Sequence, residues 1–146
     1  MAKYNYFELA EFLKSDTADA QGIDNTPTFE VVENLDELVG TILDPLRAAW
    51  GGALKVTSGY RCEALNRAVG GVVTSVHKLG LAADIVPANK RIAAFVSFAA
   101  KWCAAQGIKW DQIIDEKGSG GSRWCHIGLR SNSGQQRCQV LSMTKK

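Results

Sequence analysis

Histidine is scarce in this sequence. Only His77 and His126 occur among 146 residues, so chemistry that needs an imidazole must use one or both. The four cysteines, Cys62, Cys103, Cys125 and Cys138, form no CxxC pair. Free thiols in a chain made in a reducing cytoplasm are therefore expected. No apolar run approaches a membrane span, and the N-terminus lacks the charged-then-apolar layout of a signal peptide. A formal net charge of +2 is too small to imply nucleic acid as a target, although mild basicity suits an anionic cell wall. Internal repeats and linkers are also missing. What remains is an ordinary globular composition, 46% hydrophobic and 22% charged, which with the length predicts one domain over residues 1–146; a monomer is expected.

The stretch Ser58–Val86, SGYRCEALNRAVGGVVTSVHKLGLAADIV, organises the rest. It holds His77 and, seven residues on, Asp84 inside the apolar run LAADIV, where an unpaired acid is costly to bury. His126 lies in a second apolar run, RWCHIGL. A lone histidine in such a run is ordinarily a core residue. Two histidines with a buried carboxylate, however, are donor types that a catalytic zinc site uses, with a fourth position left for water.

The elements follow from periodicity and punctuation. Phe7, Leu9, Ala10, Phe12 and Leu13 predict a helical turn or two, followed by a loop over KSDTADAQGIDNTP. Val32, Leu35, Leu38, Val39, Ile42 and Leu46 predict a helix with a kink or restart at Pro45 and an end at Gly51-Gly52. Leu54–Thr57 reads as a strand, Cys62–Val69 as a short helix, and Leu81–Val86 as a strand. That last strand puts Ala82, Asp84 and Val86 on one face. Asn89 is placed to cap a helix running to Gly107. Strands follow at Asp111–Glu116, Arg123–Leu129 and Gln139–Met143. Helices first and strands later predict an α+β domain, its helical N-terminal part packed on a small antiparallel sheet.

The ordered string SGYR, Asn66, Gly70-Gly71, Ser75-x-His77, Gly80, Ala83-x-Asp84, and later Trp124-x-His126, resembles the M15 family of zinc D,D-peptidases and phage endolysin peptidases. The likeness covers essentially the whole chain, including a YF opening and a GIDN-P segment. It implies a Hedgehog/D,D-peptidase-like fold and a Zn2+ ion held by His77, Asp84 and His126. It also implies hydrolysis of a peptidoglycan stem-peptide bond involving D-amino acids, by a carboxypeptidase or an endopeptidase. A phage or prophage lysin would reach the bacterial wall through a holin or on the virion. No nucleic-acid partner and no membrane insertion are expected.

Hydrolysis also needs a base for the attacking water. Many family members carry an acid three residues before the final histidine, where this chain has Arg123, whose guanidinium cannot accept a proton at neutral pH. Asp115 and Glu116 are the nearest candidates, on opposite faces of one strand. Similarity of WDQIIDE to the FDWVYYE-type stretch of Hedgehog signalling domains selects Glu116, with Gln112 and Ile114 on its face. Arg61 is expected to hold substrate or stabilise an oxyanion. Ser75, Gln112 and Trp124 are further substrate contacts, Asn66 holds its loop, and Arg130 and Arg137 flank a solvated turn. Cys125 points away from His126 along its strand, which argues against a thiol nucleophile. Two other readings compete: a catalytically silent zinc-binding module of the same fold, and a structural virion protein that only packs.

Overall fold

The computed structural model describes residues 3–145. Apolar spacing builds the helical layer as expected. Helix α2 (Phe29–Leu38) passes through a π-turn at Val39–Leu43 into α3 (Asp44–Trp50). Pro45 has no N–H to continue the ladder, so the restart falls within a residue of it. Helix α1 (Asp16–Gln21) was not expected: it occupies the polar stretch read as a loop. Ser15 caps it by accepting from the Ala18 amide, and Gly22 ends it in the left-handed region.

Five strands make one sheet: β1 (Leu54–Ser58), β2 (Ala82–Pro87), β3 (Gln112–Lys117), β4 (Arg123–Gly128) and β5 (Gln139–Thr144). Their order is β1-β2-β4-β3-β5. The fold is α+β, but the sheet is mixed rather than purely antiparallel, because β5 runs parallel to β3. The cause is local. Strand β4 ends beside the start of β3, and the following segment stays there, with Cys138 donating to the Trp110 carbonyl. A strand launched from that end must run in the direction of β3.

Alternation then sorts the sheet into two faces. Ala83, Ile85, Ile113, Cys125 and Ile127 enter the core beneath α2, α3 and the long helix α5 (Ile92–Ala105). Asn89 does not cap α5; its side chain accepts from the Arg91 amide one turn earlier, and Arg91 is the N-cap residue. Asp84, Ile114, Glu116 and His126 project from the opposite face, where the short helix α4 (Glu63–Ala68) and a 3₁₀ turn at Val76–Leu79 lie. Among the described residues no helix is long and apolar enough to cross a membrane.

The loop Gly59–Arg61 is pinned from beneath. Tyr60 donates to the Phe12 carbonyl at 2.7 Å, and Asn25 bridges Leu13, Tyr60 and Cys62 through three hydrogen bonds. Gly59 lies so close to Phe12 that a Cβ there would overlap the Phe12 backbone. Gly59→Ala is therefore expected to cost about 1–3 kcal/mol by overpacking. An unshifted urea midpoint in equilibrium unfolding would contradict this packing.

Candidate metal centre

Three elements deliver three donors. The 3₁₀ turn at Val76–Leu79 carries His77, β2 carries Asp84 and β4 carries His126. Asp84 and His126 are cross-strand partners, which fixes their approach. The Asp84 Oδ1 atom stands 3.3 Å from His77 Nε2 and 3.2 Å from His126 Nδ1. One donor atom from each residue lies within 4.8 Å of the other two, and all three residues are buried.

The orientation of His77 is settled by its other nitrogen. Nδ1 lies 2.8 Å from the Gly59 carbonyl, an acceptor only, so Nδ1 carries the proton and Nε2 faces Asp84 with its lone pair. Burial disfavours protonation of His77 and outweighs the pull of the Asp84 carboxylate. Burial likewise opposes ionisation of Asp84, but the facing imidazoles more than offset it and hold the acid ionised. A buried carboxylate facing the lone pair of His77 is a poor arrangement without a cation and a good one with it. The donor set therefore fits a transition-metal dication that accepts nitrogen and oxygen.

Around these donors runs a cleft in two halves. One, of about 370 Å³, is lined by His77, His126, Glu116, Gln112, Ser75 and Arg61. The other, of about 550 Å³, holds Asp84, Tyr60, Trp124 and the Gly118–Ser122 turn. Glu116 is nearly fully buried, and its Oε1 lies 3.6 Å from His126 Nδ1. Arg61 is 9% exposed, and its Nε has no partner. Burial lowers the guanidinium pKa while Asp84 and Glu116 draw it back up.

A family model described as Peptidase M15 matches residues 5–114. The chain belongs to the M15 peptidase family. No curated protein was found to match it. The matched segment contains Arg61, His77 and Asp84 and stops before Glu116 and His126. For those two residues of this M15 metallopeptidase, the strand pairing alone brings them to the same cleft.

The remaining expected site residues fall into place unequally. Ser75 and Gln112 line the cleft, but Ser75 also caps the His77 turn and Gln112 bonds Gln139. Trp124 lies in the other half, with its indole N–H buried and unpartnered. Asn66 holds its loop as expected, donating to the Val72 carbonyl. Asp115 turns to the opposite face and forms a two-pronged pair with Arg123, at 2.9 and 2.6 Å. Arg123 thus neutralises the acid that does not face the site. Arg130 and Arg137 are not simply solvated: they bond Glu37 and the buried Asp111. Burial, then nearby carboxylates, push the Cys125 thiol well above its ordinary pKa, so it is no thiolate nucleophile.

Sequence reasoning missed Asn25, whose clue was the GIDN-P segment, and Lys145, for which no local signal exists. Because two donors hang from a packed sheet and the third from a turn hydrogen-bonded to the Gly59–Arg61 loop, the metal should add stability to a fold that forms without it. Chelated protein is expected to keep its far-UV circular dichroism with a lower melting temperature; a wholly unfolded apo chain would contradict this. His126→Ala should remove the bound metal, measured by elemental analysis, and full occupancy would refute its role as a donor.

Proposed function

We propose that this M15 peptidase is a zinc-dependent enzyme of the bacterial cell wall. Its substrate in this reading is a peptidoglycan stem peptide, cut at a bond involving a D-amino acid. The observation that carries the reading is the meeting of three metal donors with a buried carboxylate that is not one of them, Glu116, in one cleft. The resemblance of the SGYR-to-Asp84 string to phage endolysin peptidases supports a role as a phage or prophage lysin, reaching the wall through a holin or on the virion. The substrate class rests on that same resemblance.

His77 Nε2, Asp84 Oδ1 and His126 Nδ1 would hold the zinc. Bound there, the ion supplies Lewis acidity, lowering the pKa of water and polarising a carbonyl oxygen. Glu116 would accept the proton of the attacking water and later release it to the departing amine. It suits that task because it faces the donors from a neighbouring strand while Asp115 is committed to Arg123. Arg61 would present its fork to a substrate carboxylate or to the oxygen on which charge develops. Its position depends on Gly71, where a Cβ would overlap the Asn66 amide oxygen and stand 2.9 Å from an Arg61 nitrogen. Ser75 and Gln112 border the path of the chain on the donor side.

The test is mass spectrometry of purified peptidoglycan fragments after digestion. Loss of a terminal residue identifies a carboxypeptidase, and splitting of cross-linked fragments an endopeptidase. Unchanged fragments with zinc bound would leave the silent-module reading standing instead. Glu116→Gln should lose roughly 10²–10⁴-fold in rate while retaining zinc. Asp115→Asn should stay within about threefold of the parent, since it faces away; the reverse pattern would overturn the assignment of the base.

A further inference from the structure

One cation reaches the proposed base from outside the elements that carry the site. Lys145 Nζ lies 3.1 Å from Glu116 Oε2, an ion pair by distance in which the angles do not make a hydrogen bond, so Oε2 is otherwise an unpartnered buried oxygen. Its backbone amide donates to the Lys117 carbonyl at 2.7 Å, continuing the parallel register of β5 on β3. The aliphatic stem crosses toward Trp124, with the ammonium 6.0 Å from the ring centre. Lys145, Arg61 and Gly71 are the residues that line both halves of the cleft.

We propose that Lys145 is a positioning residue for Glu116, and the inference rests on Glu116 being the base. A carboxylate on a strand can rotate about its terminal torsion, which is broad and poorly fixed by sterics. Holding Oε2 by an ion pair leaves Oε1 aimed at the donors and at any water between them. Glu116 is otherwise buried on that face, and among the described residues no other lysine or arginine lies within ion-pair distance of it. The ammonium is half exposed, so the pair adds little to folding stability. Its contribution is to aim, and a group misplaced by about 1 Å can lose a hundredfold in rate.

The proposal is tested with Lys145→Met, Lys145→Arg, Glu116→Gln and the double variant Lys145→Met with Glu116→Gln. All are assayed on one stem-peptide substrate, with zinc content and circular dichroism recorded. Lys145→Met should lose about ten- to hundredfold in kcat, with KM within about threefold and zinc retained. Lys145→Arg should recover most of that loss. In the Glu116→Gln background, Lys145→Met should have no further effect, because nothing is left to aim. An unchanged kcat in Lys145→Met would overturn the proposal. So would an effect confined to KM, which would make Lys145 a substrate contact, or a full additional loss in the double variant. A parent protein that cuts no stem peptide would defeat the peptidase reading, and this proposal with it; an active parent with an indifferent Lys145→Met defeats the proposal alone.

Discussion

A carboxylate held in the protein interior with imidazole nitrogens on two sides is the constraint on which this structure turns. Asp84 is 8% exposed and stands 3.2–3.3 Å from one nitrogen of each histidine. Alone, such a charge would be costly to desolvate. The three donor atoms around it are suited to hold a positive charge at that point. Much of the scaffold serves this arrangement: the β2–β4 register sets two of the donors, and a separate turn brings up the third.

That third donor depends on residues far away in the chain. The carbonyl of Gly59 fixes the tautomer of His77, and the loop containing Gly59 is tied down by the Phe12 carbonyl and the Asn25 side chain. The N-terminal helical turns thereby set the direction of the His77 lone pair that faces Asp84. The same loop presents Arg61, whose amide donates to the His77 carbonyl at 3.0 Å. His77 and Arg61 are in this way tied into one unit.

What was legible in the sequence was what period and spacing determine. Alternation along LAADIV and RWCHIGL separated Asp84 and His126 from Ile85, Cys125 and Ile127, and the two faces are arranged accordingly. The same rule set Glu116 against Asp115. Features that rest on side chains meeting across the fold were not legible. The pairing of Arg123 with Asp115 needs the β3–β4 register. Helix α1 escaped notice because it is six residues long and mostly polar, with only Ser15 and Gly22 to mark its ends. The parallel course of β5 depends on where β4 finishes, and Lys145 is carried to Glu116 only by that course.

X-ray absorption at the zinc edge of the metal-loaded protein probes the central claim most directly. The account predicts a ligand shell of nitrogen and oxygen at ~2.0–2.2 Å with the outer-shell scattering of two imidazoles. Four cysteines are present as free thiols, so a competing site is chemically available. Sulfur scattering at ~2.3 Å, or the signature of a single imidazole, would contradict it.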